Sequence, residues 1–126
     1  MSNSVLDVTF ICRFSNYGSR AVDLFAPGVD ILSTAPDGKY GKGEGTSISA
    51  PMVAGVAGLM RAIRPELTAV QIRDILLASV RELGDVETSL PGDDRVTVRT
   101  GDLCLSHGML DARAALKMLE KRKIVR

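Results

Sequence analysis

The stretch "YGKGEGTSISAPMVAGVAGLM", Tyr40 to Met60, decides how this chain is read. Gly41, Gly43 and Gly45 stand on alternate positions and lead directly into Thr46 and Ser47. Such glycines let a backbone turn tightly or lie close to another chain. Thr46, Ser47 and Ser49 carry hydroxyls of the kind that cap helices. From Gly45 to Met60 no charged residue occurs, so the segment after the serine reads as a buried helix. A polar side chain at the mouth of a buried helix is either a cap or a reagent.

Composition narrows the choice. The chain has 126 residues, enough for one domain with a sizeable core. Hydrophobic residues make up 45% and charged residues 25%, as in an ordinary soluble globular protein. Aromatics are only 4%, with no tryptophan, so a base-stacking nucleic-acid surface is not expected. Sixteen basic residues balance fifteen acidic ones, and the one basic cluster, Glu120 to Arg126, reads as a solvated helix end. The opening "MSNSVLDVTF" lacks a charged region followed by an apolar core, and no signal peptide is read there. The uncharged run from Gly45 to Met60 falls short of the roughly 18 apolar residues of a membrane span and carries Pro51, Gly55 and Gly58, so no span is expected. Cys12 and Cys104 cannot form a disulfide framework and are expected as free thiols; compartment stays open.

Along the chain, Val5–Ile11 is β-rich, and apolar runs follow in "AVDLFAPG" and in Val29–Thr34. "APDGKYGKGEG" reads as a long glycine-rich loop with a turn at Pro36-Asp37-Gly38. Ser47–Ile63 reads as a helix surrounded by protein, because its apolar residues fall on every face; Pro65 stops it. "LTAVQIRDILLAS" is a second helix with Thr68 as N-cap and Val70, Ile72, Ile75, Leu76 and Leu77 on its apolar face. Residues 85–106 read as a surface excursion, a hairpin pairing Val96–Val98 with Leu103–Leu105 around Gly101-Asp102. "DARAALKMLEKRK" closes the chain as a helix capped by Asp111.

Two chemistries could explain the glycines. A Walker-type phosphate loop fails on spacing at both ends, since Gly41-Lys42 is followed by Gly43 and Pro36 stands where the first glycine belongs. The other is a nucleophilic serine at a helix N-terminus, where unpaired N–H groups and the helix dipole favour the anion of acyl transfer. On position alone a simple cap is the commoner use of such a serine.

"GTSISAPMVAGVAGLM" resembles the signature around the catalytic serine of subtilisin-like serine proteases. The similarity extends to "FSNYGSRAVDLFAPGVDILST", Phe14 to Thr34, to "RPELTAVQIRDILLASV", and to "HGMLDARAAL", His107 to Leu116. The fold this implies is the C-terminal portion of a three-layer α/β/α sandwich on a mainly parallel sheet, with 1–126 a partial peptidase domain. The implied roles are Ser47 as nucleophile and oxyanion-hole donor, Thr46 as its polarising neighbour, and Gly45 as the residue keeping the approach clear. The implied partner is a polypeptide substrate; calcium sites occur in such proteases, but no carboxylate cluster in this sequence makes one, so no metal and no cofactor is expected.

The resemblance also has gaps. Ile48 and Met52 replace the methionine and histidine usual at those places. Nothing before Ser47 resembles the aspartate or histidine motifs, and residues 1–46 contain no histidine. Asn3 and Asn16 lack the context of the second oxyanion donor. His107, the sole histidine, reads as a turn residue rather than a base, and Asp7, Asp23, Asp30 and Asp37 as turn or surface residues. The expectation is therefore a serine endopeptidase whose Asp and His come from a missing N-terminal half. The alternative is a degenerate, non-catalytic binding or scaffold module.

Overall fold

The structure, a computed structural model, describes residues 11–121. Most of the strand expected at Val5–Ile11 lies outside that range, as do Asn3 and Asp7. Helix α1, Thr46–Ile63, occupies the middle of the chain. Against it pack α2, Ala69–Ala78, and α3, Ala112–Lys121. Val56 and Met60 of α1, Leu67, Ile72, Ile75 and Leu76 around α2, and Ala115 and Leu119 of α3 form the core where the three meet.

Each helix end has a local cause. Thr68 caps α2 through a reciprocal pair: the Gln71 N–H donates to Thr68 Oγ1 at 3.2 Å, and the Thr68 N–H donates to Gln71 Oε1 at 2.8 Å. Asp111 caps α3, with its Oδ1 accepting the Ala114 N–H at 2.8 Å. α1 stops at Ile63, before Pro65, where the Arg64 N–H still reaches the Met60 carbonyl at 2.9 Å.

The strands are short. β1, Ile31–Ala35, pairs antiparallel with β2, Lys39–Gly43. The stretch read as a loop is therefore a hairpin. Asp37 and Gly38 both hold positive φ, 62° and 69°, within the three-residue loop 36–38 that joins Ala35 to its partner Lys39. The lysines and glycines of β2 carry little strand propensity, and cross-strand pairing overrides it.

β3, Arg81–Glu82, pairs antiparallel with β6, Gly108–Met109, and Phe25 bridges Met109 on its other side in parallel. Backbone bonds of 2.7–3.0 Å from Phe25, Leu105, Ser106 and Leu110 stitch residues 22–25 to the chain just before and after β6.

β4, Glu87–Leu90, and β5, Asp93–Arg99, form an exposed hairpin. This corrects the expected pairing of Val96–Val98 with Leu103–Leu105. Val98 instead opposes Thr88 across a turn at Pro91-Gly92. Gly101-Asp102 lies in a 3₁₀ turn, Thr100–Leu103, that is buried at Thr100, Gly101 and Leu103. Thr100 determines that outcome: its N–H donates to the Val86 carbonyl at 2.9 Å and its hydroxyl to the Gly84 carbonyl at 3.2 Å. Alternation around a Gly-Asp pair had suggested a turn, but tertiary bonds draw the segment inward.

Two further expectations about helix faces change. Val70 points to solvent, 67% exposed, so the core face of α2 is narrower than the sequence suggests. α1 is not enclosed within the described chain: only Val56 and Met60 are buried, while Leu59 and Ile63 are more than half exposed. It is also the one helix among the described residues long and apolar enough to cross a membrane by length and composition, contrary to the shorter reading.

One ion pair ties α2 to the chain ahead of β1. Arg73 donates to both oxygens of Asp23, at 2.7 and 2.6 Å, a bidentate geometry. The Arg73 hydrogen bonds hold the Asp23 carboxyl below its ordinary 3.8. A lowered folded-state value means the pair stabilises the fold above about pH 3.8, with the contribution lost as pH falls through the folded value. The urea midpoint of Arg73→Gln should therefore lie below wild type at neutral pH, and the gap should close under acid.

Shortening the hairpin within residues 88–98 is expected to leave the thermal transition nearly unchanged. Thr100→Val should cost about 0.5–1.5 kcal/mol in urea unfolding, because it removes a buried hydroxyl donor. The reverse order of sensitivity would make the hairpin, not the 3₁₀ turn, part of the core.

Candidate active site at the head of helix α1

Gly45 is the N-cap of α1 and takes φ 129° and ψ 162°. That combination is essentially open to glycine alone. No side chain caps this end, in contrast to α2 and α3. The Ile48 and Ser49 N–H groups fold back on the Gly45 carbonyl at 3.0 and 3.4 Å. The N–H groups of Thr46 and Ser47 take no partner among the described residues. Ser47 is exposed in the second position of the helix, beside its own free N–H. Pro51, inside the helix, lacks the N–H that would bond the Ser47 carbonyl. The first turn is thus held by backbone geometry alone, with donors directed outward and no acidic residue to neutralise them.

Two cavities flank this helix end. One, about 610 Å³, lies between the β1–β2 hairpin and α1 and is bordered by Ser47, Ile48, Pro51 and Met52. Lys42 is its only charged lining residue, and that ammonium bonds Asp30 at 2.8 Å on the exposed rim. The other, about 550 Å³, lies on the opposite side and is bordered by Thr46, Ser49, Ala50, Val53, Phe14 and Asn16. Its only charged residue is Asp23, already engaged by Arg73. Thr46 and Ser47 therefore face different spaces across the crest of the helix.

Gly45, Thr46 and Ser47 stand together, and no base among the described residues lines the cavities beside them. Neither cavity contains an imidazole. His107 sits in the turn before β6 at φ 56°, with its Nδ1–H donating to the Gly101 carbonyl at 2.7 Å. Asp30 and Asp37 are positive-φ turn residues, and Asp23 is half-exposed beside Arg73. Cys104 is buried and Cys12 half-buried, both as free thiols. Among the described residues no group of three or more His, Cys, Asp or Glu side chains could hold a metal.

Sequence reasoning missed Gly28. Its carbonyl accepts the Gly45 N–H at 2.7 Å, which fixes the residue two before the serine. The available signal was "APG": a glycine following proline just upstream of a glycine-rich helix start can mark a close backbone approach.

Comparison with known proteins gives the family of the chain. The subtilase-family model matches residues 4–101, and the chain belongs to the subtilase family. Subtilisin E of Bacillus subtilis strain 168 is 46% identical over 72 residues, covering 57% of this chain and 19% of that protein. M-protease of Shouchella clausii is 42% identical over 83 residues, covering 66% of this chain and 21% of its own length. The chain thus spans about a fifth of these relatives.

Solved structures agree on the fold. The A-subunit of the AB5 toxin from E. coli superposes with a TM-score of 0.67 at 30% identity, over 83% of this chain and 29% of that one. A protease from Pseudoalteromonas arctica superposes at 0.62 and 32% identity, over 86% and 32% respectively. The architecture is a portion of the subtilase α/β fold, with the strand pairings described above.

Gly45→Ala is expected to cost about 1–3 kcal/mol in urea unfolding, since alanine must strain to occupy that backbone conformation. A variant as stable as wild type would mean that the turn relaxes freely and that its geometry is not set by this residue.

Proposed function

We propose that this chain carries the nucleophile of a subtilisin-like serine endopeptidase. Ser47 attacks the scissile carbonyl and forms an acyl-enzyme, and its N–H is one donor to the oxyanion. Thr46 and Gly45 complete the approach, and the substrate is a polypeptide. The observation that carries this reading is an exposed serine in the first turn of α1, beside unpaired N–H groups, in a chain of the subtilase family. Donors aimed where charge develops are the largest single contribution in many acyl transfers.

A serine hydroxyl is a weak nucleophile until a base takes its proton. Neither flanking cavity supplies one, so the aspartate and histidine come from polypeptide outside this sequence, the N-terminal half of the peptidase domain. The chain by itself is then inactive. The same lack of an imidazole favours a second reading, a non-catalytic module that binds or scaffolds.

Co-expression with the segment of subtilisin E that precedes its matched region separates the two. Peptide cleavage should appear with the pair, be absent from either piece alone, and vanish in Ser47→Ala. No cleavage from a well-folded pair supports the non-catalytic module. Robust cleavage by this chain alone would require a base within it, and His107 is the one imidazole available.

A further inference from the structure

Three glycines in or close to α1 differ in what a side chain would meet. At Gly58, inside α1, an added methyl would meet nothing within 4 Å. At Gly43, on β2, it would meet Ile48 Cδ1 at 2.5 Å, the free end of a flexible side chain that can swing aside. Gly28 is different. There the methyl would collide with Ser49 Oγ and come within 3.0 Å of the Gly45 carbonyl oxygen. Ser49 can rotate its hydroxyl away, but a backbone carbonyl cannot be moved without moving its residue.

That carbonyl is no bystander. It accepts both the Ile48 and the Ser49 N–H, so it closes the first turn of α1. The Gly45 N–H in turn donates to the Gly28 carbonyl. Gly28 therefore touches both sides of the Gly45 peptide: its oxygen holds the N–H, and its missing side chain leaves room for the C=O. Ser47 begins two residues later on a turn that no side chain caps.

We propose that Gly28 is a positioning residue for Ser47. It sets the height of the first turn of α1, and hence the placement of the Ser47 hydroxyl and N–H, through backbone contact with Gly45. It touches no substrate and acts only through that turn. The kinetic consequence rests on the catalytic reading of Ser47; the structural one does not.

The test has two arms. In the ¹⁵N-labelled full chain, Gly28→Ala should shift the amide resonances of Gly45, Thr46, Ser47 and Ser49 while those of α2 and α3 stay in place. Gly58→Ala serves as the comparison and should leave Gly45–Ser49 unmoved. If Gly28→Ala does not fold, a semisynthetic chain with glycolate in place of Gly45 deletes the donated hydrogen bond without adding atoms, and should shift the amides of Thr46, Ser47 and Ser49. Unmoved Thr46 and Ser47 amides in the folded variant overturn the proposal.

The second arm uses the pair co-expressed with the upstream subtilisin E segment. There Gly28→Ala should lower kcat by roughly tenfold or more with KM unchanged, the pattern of a misplaced reacting group. A change in KM alone, or wild-type kcat, overturns it. A wild-type pair without activity refutes the catalytic reading instead, and the resonance shifts then decide the role of Gly28 by themselves.

Discussion

A single backbone contact governs this molecule: the Gly45 N–H held at 2.7 Å by the Gly28 carbonyl. It joins the turn before β1 to the residue that opens α1. Everything catalytic in outlook follows from where that helix begins. A hydroxyl cap would have filled the first-turn donors, as Thr68 and Asp111 fill theirs in α2 and α3. Here a glycine in a conformation reserved for glycine turns the chain instead, and the donors stay available. The helix that the chain caps least is the one whose N-terminus carries the serine.

That arrangement places the demand for stability elsewhere. The core lies toward the far end of α1, where Val56 and Met60 meet α2 and α3. Reciprocal capping at Thr68, the Asp23–Arg73 pair and the Thr100 clamp bond neither Ser47 nor the first turn of α1. The head of α1 is braced by backbone, and its two flanks are cavities rather than packed side chains. On the catalytic reading, an open surface at the serine suits a site that must admit a substrate.

How much of this could be read beforehand depends on the range of the forces involved. The stop before Pro65 and the caps at Thr68 and Asp111 rest on neighbours within a few residues, and the sequence displays them. The β1–β2 hairpin was half visible: Asp37-Gly38 announced a turn, but "KYGKG" hid the returning strand behind poor strand propensity. The register of β5 was hidden altogether. Val96 and Val98 alternate correctly, yet their partner lies N-terminal to them rather than beyond Gly101, because Thr100 reaches back to Val86 and Gly84. Gly28 belongs to the same class, since a close approach between residues 17 positions apart leaves no local trace beyond the glycine itself.

The apolar residues that encircle α1 raise the remaining physical question. In this chain the helix buries Val56 and Met60 and leaves Leu59 and Ile63 largely exposed. Length and composition would also suit a membrane, but a span offers no reason for what surrounds the helix. Ser47 and Ser49 head it, Pro51 interrupts its bonding, and α2 and α3 pack on one side while cavities indent the others. A helix packed on one side and flanked by apolar hollows on the rest has room for further protein against it. In the catalytic reading, that protein must do two things at the same place: cover the 550 Å³ hollow beside Thr46 and Val53, and bring an imidazole over the crest to Ser47. Completing the core and completing the triad are then one packing event. On that reading Ser47 stays a weak nucleophile until the surface that would bury the helix has arrived.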